Sequence, residues 1–289
     1  MAEAPKEESE DAITAEEMAA PATADLELKK NTGKANAFTE LMSRKPKPSS
    51  ALATKSAKIT KPNFGKVPGG HDRNGLSAYT TNPTSFPPNV VIFHDDSWVV
   101  IHDMFPKAIV HLLILPRSPS ISNLHPVEAL ADPSFLASAR EQATKWRSFA
   151  ASELRRRFGS TSASESARRE AMNADDPPEE LPQGRDWERE IKVGIHVHPS
   201  MNHLHIHVLS REMHSERMKH RKHYNSFNTP FFVPLEEFPL SEEDERSKSG
   251  EQGYLRRELK CWRCGRGFGM QFARLKEHLE EEFDAWKRE

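Results

Sequence analysis

Between His203 and Leu209 histidines alternate with apolar residues: His203-Leu204-His205-Ile206-His207-Val208-Leu209. A period of two predicts a β-strand that turns every imidazole to one face and the apolar side chains to the other, whereas a helix would scatter them. Imidazole titrates near neutrality and serves as nucleophile, proton carrier or metal ligand, so three on one face predict a site. Five of the fourteen histidines fall between His196 and His207, which argues against an accidental solvated face.

Most of the chain around this strand is poor in core material. Of its 289 residues 36% are hydrophobic and 29% charged, with 21 prolines. No apolar run is long enough to span a bilayer and the acidic N-terminus lacks a secretory apolar stretch, so a soluble intracellular chain without a membrane partner is expected. The net charge of −2 hides a segregation of signs. Residues 1–33 carry nine acids against three lysines and read as a disordered acidic tail. From Lys34 to Lys66 eight Lys/Arg face the single acid Glu40, a basic arm suited to a nucleic-acid backbone or to nuclear import. We extend this arm over 34–86. Within it Phe38, Leu41 and Met42 fall at helical spacing, predicting a short amphipathic helix over 36–43 that must dock on something.

The core is expected from Pro87. Val90–Phe93, Trp98–Ile101 and Ile109–Leu115 read as three strands, and Asp132-Pro133 opens a helix running to Leu154. The composition of 159–186 collapses into Ser, Ala, Arg, Glu and Pro, predicting a flexible insertion. Order returns with a strand over Glu190–His198. The sum is an α+β fold, a mostly antiparallel sheet of about five strands with helices, spanning 87–235. After Ser210 a loop rich in Arg, Lys and His would suit a phosphate-bearing substrate. An acidic linker over 236–253 leads to a small C-terminal module over 254–289.

That module holds the only two cysteines, as Cys261-x2-Cys264, followed by His278-x3-Glu282. A knuckle followed by a helix offering ligands one turn apart resembles the spacing of a zinc finger, with one structural Zn2+ held by Cys261, Cys264, His278 and Glu282. Arg263 and Arg266 stand in a basic surround that points to nucleic acid. The triad itself is a poor metal site. Neighbours on one face of a straight strand lie roughly 6.5–7 Å apart, too far to crowd around one ion. Phosphate chemistry, with a histidine as nucleophile and no metal required for the chemical step, fits better.

The His-φ-His-φ-His-φ-φ run resembles the signature of the histidine-triad superfamily of nucleotide hydrolases and transferases. Asp103, Phe105-Pro106-Lys107-Ala108, His111 and Leu115-Pro116 resemble its upstream strand pair. Gly194 through Met201, Lys219 through His223, Asn225 through Thr229 and the zinc module are similar to the aprataxin branch. The resemblance implies a nuclear DNA repair enzyme, acting as a monomer, that removes AMP from adenylated 5′ DNA ends at nicks, double-strand ends or RNA–DNA junctions. It implies that His205 is the nucleophile, that His203 and His207 orient it, and that His196 is the acid–base partner. It implies further that Asp103, His111, His198, Ser200, Met201, Lys219, His223 and Ser226 bind nucleotide or phosphate. Phe38, Lys222, Arg263 and Arg266 would then hold DNA, Phe38 as a wedge stacked on the terminal base pair. Glu282 in place of a fourth-ligand histidine departs from other members. Two rival readings are a hydrolase of small dinucleoside polyphosphates, which leaves the zinc module idle, and a DNA-end binder with a silent triad, which the intact histidines oppose.

Overall fold

The computed structural model describes residues 73–248 and 253–289. The acidic tail 1–33, the arm over 34–72, the helix expected over 36–43 and Phe38 lie outside the described residues.

Six strands form one sheet: β1 (Val91–His94), β2 (Trp98–His102), β3 (His111–Pro116), β4 (Ile191–His196), β5 (Ile206–Ser210) and β6 (Phe232–Pro234). Their spatial order is β1-β2-β3-β5-β4-β6 and every neighbouring pair is antiparallel. Strands β3 and β5 are buried along their whole length, which is why they read as near-continuous apolar runs. Strand β6 was not expected. Its three residues are too short to show alternation, and it forms because Ile195 and His196 present a free edge to Val233 and Phe232.

The expected histidine strand is shorter than its sequence period. Of the three histidines only His207 lies within β5, while His203, Leu204 and His205 form an irregular approach to it. Leu204 leaves the ladder to donate its N–H to the Ser122 carbonyl at 2.7 Å, so the alternation of side chains persists without strand pairing.

Helices α1 (Ser77–Thr81), α2 (Pro119–Ser122) and α3 (Pro126–Ala129) are short; α4 (Pro133–Phe158) is the main one. Asp132 caps it, its carboxylate accepting from the Phe135 N–H at 2.6 Å, and Arg155, Arg156 and Arg157 in the last turn oppose the helix dipole. Leu136, Ala139, Ala143, Trp146, Ala150 and Leu154 form its buried stripe and pack on Val100, Leu112, Ile114, Val193, Ile195 and Val208. Truncating Leu154, fully buried, to Ala would cost about 2–5 kcal/mol.

On the opposite face Val99, Ile101, Leu113 and Leu115 are covered by Leu76 and Tyr79. The fold therefore starts ahead of Pro87, inside the stretch whose composition reads as arm. The rest of that face carries the histidines.

Residues 159–186 contain a helix, α5 (Ala163–Met172), with Ser162 at its N-cap and Glu165 buried. Low hydrophobicity suggested an insertion outside the core; polar contacts, not apolar ones, tie it down. Helix α6 (Arg221–Asn228) precedes β6. The C-terminal module consists of a hairpin, β7 (Leu259–Lys260) and β8 (Gly267–Gly269), followed by α7 (Phe272–Trp286). Leu259, Cys261, Leu275 and Leu279 of this module share one apolar cluster with Tyr224 and Phe227 of α6.

Candidate active site

Strand register brings the imidazoles together. His207 on β5 stands opposite Leu113 of β3 and Gly194 of β4, while His111 and His196 flank it from the two neighbouring strands. Gly194 has a steric reason. A Cβ there would lie 2.4 Å from the Val233 carbonyl oxygen and 2.7 Å from the Phe232 ring, so only glycine lets β6 close against the site.

Hydrogen-bond direction assigns the tautomers. The Nδ1 of His205 lies 2.7 Å from the His203 carbonyl oxygen. A carbonyl only accepts, so Nδ1 carries the proton and the Nε2 lone pair is left available. Burial lowers the His205 pKa, outweighing that hydrogen bond, and keeps the ring neutral. His196 donates from Nε2 to the Ser226 carbonyl at 2.9 Å, and burial holds it well below the usual imidazole range.

The backbone N–H of Lys107 donates to His111 Nδ1 at 3.1 Å, so His111 carries its proton on Nε2. From there it reaches His207 Nδ1 at 3.0 Å and the Asp103 carboxylate at 3.4 Å. Accepting at Nδ1 leaves His207 a proton on Nε2, a buried atom that bonds to nothing among the described residues. Such a donor suits a phosphate oxygen. Asp103, His111 and His207 have ligand atoms within 4.8 Å of one another, close enough for a metal. The donor chemistry opposes one: ligation at His111 Nε2 would displace the proton that the Lys107 N–H forces onto it. These groups share a proton instead. Burial would raise the Asp103 pKa, but His111, Lys107 and the Phe105 N–H, 2.7 Å from Oδ1, together hold it below the usual carboxylate range.

Lys107, which the sequence shows only as part of the Phe-Pro-Lys-Ala run, joins the site. It is 5% exposed, and its Nζ donates to the Phe105 carbonyl at 2.5 Å. Burial pushes the ammonium pKa down, with Asp103 opposing. Burial is what chiefly depresses His111, His196, His207 and His223, and the Lys107 charge adds to it in each case. The pattern Phe-Pro-Lys-Ala reads as a turn, and nothing in it signals that the ammonium folds inward. His223 accepts from the Lys219 N–H at 3.2 Å, and burial drives its pKa down to about 3.

Other expected contacts sit differently. The Ser226 hydroxyl is fully buried and donates to the His223 carbonyl at 3.1 Å, so its carbonyl rather than its hydroxyl serves the site. His198 turns away from the triad, its ring 5.9 Å from His125 and its Nε2 3.2 Å from the Lys248 carbonyl. Met201 packs against the apolar cluster of Leu113 and Leu115, and Ser200 is half-buried beside it in the loop after β4. Lys222 occupies the first turn of α6.

In the C-terminal module the ligand atoms of Cys261, Cys264, His278 and Glu282 converge within 4.8 Å. Cys264 Sγ lies 3.1 Å from His278 Nε2, which lies 3.1 Å from Glu282 Oε1. Two thiols, an imidazole and a carboxylate fit tetrahedral zinc. The knuckle closes through the Gly265 N–H donating to the Cys261 carbonyl at 3.0 Å, with Gly265 at φ +75°. Arg263, expected to hold DNA, donates to Glu282 Oε2 at 2.5 Å and pairs with Glu289. Arg266 lies over the Phe268 ring at 5.2 Å.

The HIT domain family matches residues 86–214, and the C2HE / C2H2 / C2HC zinc-binding finger family matches residues 228–285. The chain is 36% identical over 219 residues to an aprataxin-like protein of Saccharomyces cerevisiae, covering 74% of this chain and 96% of that one. It is 34% identical over 217 residues to an aprataxin-like protein of Schizosaccharomyces pombe, covering 74% and 82%. Among solved structures it resembles the aprataxin ortholog Hnt3 in complex with DNA, at 32% identity and a TM-score of 0.59, over 74% of this chain and 96% of that one. Hnt3 in complex with DNA and guanosine matches at 32% identity over the same shares, with a TM-score of 0.52.

Proposed function

The chain belongs to the aprataxin-like branch of the HIT family, and from this premise we propose that it removes AMP from adenylated 5′ ends of DNA through a covalent histidine–AMP intermediate. The observation that carries the reading is the hydrogen bond from His205 Nδ1 to the His203 carbonyl, which presents a neutral Nε2 lone pair as nucleophile.

His205 Nε2 attacks the phosphorus of the AMP group. The P–N bond forms as the P–O bond to the DNA 5′-phosphate breaks, and the DNA leaves as a phosphate anion. Water then adds to phosphorus, the P–N bond breaks, and AMP departs. The two displacements divide one slow hydrolysis into two faster steps. His207 Nε2–H is placed to hold a non-bridging oxygen, and Lys107 supplies positive charge where negative charge accumulates. A DNA 5′-phosphate is already a good leaving group, so charge neutralisation matters more than protonation. This suits His196, whose Nε2 proton is held by Ser226, better to orienting than to immediate proton transfer.

We assign one structural zinc to Cys261, Cys264, His278 and Glu282. When bound it ties the hairpin to α7, and the residues around it supply a basic surface for DNA. Binding of DNA by this chain is supported by the related Hnt3 complexes with DNA. Nuclear residence follows as a proposal from the basic run 34–66.

The test is AMP release from a nicked duplex bearing a 5′-adenylate. Rapid acid-free quenching should trap AMP on the wild-type chain and none on a His205→Ala chain. Turnover of a small adenylate with no turnover of adenylated DNA would reject the DNA substrate and favour the small-nucleotide reading.

A further inference from the structure

Helix α7 carries two of the four zinc-site residues, and its far end is gripped by the insertion 159–186 from both sides. At the insertion's start, the Ala163 N–H donates to the Arg288 carbonyl at 2.9 Å and the Ser164 N–H to the Glu289 carbonyl at 3.1 Å. The Ser164 and Thr161 hydroxyls add bonds to the Glu289 and Lys287 carbonyls at 2.9 Å and 3.1 Å. Four donors thus hold the carbonyls of Lys287, Arg288 and Glu289, the three residues that follow α7.

At the insertion's end, Arg185 lies between two indoles, its guanidinium carbon 4.5 Å from the Trp187 ring centre and 4.7 Å from that of Trp286. It also donates to the Trp286 carbonyl at 2.5 Å and lies 3.5 Å from the Glu190 carboxylate. Its side chain is only 6% exposed. A cation held this way, over two aromatic faces and paired, is stronger than a surface ion pair. Trp286 is 1% exposed, with its Nε1 donating to Glu190 at 2.5 Å and its ring against Phe158. Glu165, from the insertion's own helix, completes the assembly by accepting from Trp187 Nε1 at 3.0 Å and from Arg155 at 3.0 Å.

We propose that the insertion is a clasp, with Arg185 as its positioning residue, that registers the zinc-binding module against the catalytic sheet. Resting on the DNA reading above, its consequence is that DNA held by the module meets His205 at a set distance. A small adenylate, needing only the triad pocket, does not depend on the clasp. The insertion thereby contributes to choice of substrate without touching the reacting atoms.

The zinc-loaded full-length chain, Arg185→Ala and Arg185→Lys are compared in three measurements: hydrogen exchange of α7 amides without DNA, and kcat and KM for an adenylated nick and for the p-nitrophenyl ester of AMP. For Arg185→Ala we expect at least tenfold faster exchange in the last two turns of α7, an unchanged zinc content, and at least a tenfold higher KM on the nick. Turnover of the small ester should stay within twofold, and Arg185→Lys should recover part of the loss. Unchanged α7 exchange overturns the clasp, as does faster exchange with an unchanged KM on the nick. Equal loss on both substrates reduces Arg185 to a general stabilising role and overturns it as well. A wild-type chain that leaves the adenylated nick untouched rejects the DNA reading alone, because the exchange measurement without DNA still decides the clasp.

Discussion

The His205 Nδ1–H points at the carbonyl of His203, two residues earlier in the same segment, at 2.7 Å. The nucleophile's tautomer is thus set by the backbone of its own signature motif. The irregular path through His203 and Leu204, not a regular strand, makes that contact available.

His205→Ala should reduce AMP release from adenylated DNA by roughly 10⁴-fold or more, with DNA affinity within about threefold of wild type. Single-turnover assays and binding titrations separate the two effects. Normal turnover would remove His205 from the mechanism.

Stability should fall on acidification. Burial holds His111 at about 4 and His223 at about 3, whereas the unfolded chain takes up these protons near pH 6.5. Between those values the unfolded state binds more protons than the folded one. The stability present above pH 6.5 is therefore lost as pH falls toward 4, by about 1.4 kcal/mol per unit for each histidine. Urea titrations from pH 7.5 to 4.5 measure the slope, and His223→Gln should lessen it by one residue's share. An equally steep slope in that variant would contradict the assignment.

Lys107→Met should lower kcat/KM on DNA and small adenylates alike, by about 10- to 100-fold, because the charge it removes acts on His111 and His207 of the shared triad site. The same variant should raise the pKa values of His111, His196 and His207, all of which Lys107 depresses. Histidine titration by NMR reads that shift directly, and no movement would show that the ammonium lies too far from the rings.

Gly194→Ala should destabilise the fold by about 1–3 kcal/mol, since the new methyl meets the Val233 carbonyl and the Phe232 ring. Activity should fall with it, as His196 is paired with Phe232 two residues on. Thermal melts and kcat report the two losses; wild-type values for both would show that β6 yields without consequence.

Arg263→Ala should weaken zinc retention by about 10- to 100-fold, since it frees the second carboxylate oxygen of Glu282. Arg266→Ala should instead leave zinc in place and reduce the salt slope of DNA binding by about one phosphate contact. Chelator competition and a salt series distinguish them.

Sequence alone determined what local chemistry determines. The period-two histidines, the apolar strands, the capped helix at Asp132 and the Cys261–Glu282 spacing each carry their meaning within a few residues, and the family resemblance rests on those runs. Tertiary structure decided what depends on distant partners. Lys107 reads as a turn lysine until folding buries it with its charge acting on Asp103 and His111, and the tie from Arg263 to Glu282 exists only once α7 brings the carboxylate to it. Strand β6 exists because Gly194 admits Phe232, a fact written on another strand. The insertion 159–186 reads as flexible because its contacts are polar and backbone-mediated, and hydrophobic pattern reports neither. A sequence shows which side chains could act; only the closed chain sets which charges share a dielectric, and therefore which of them do.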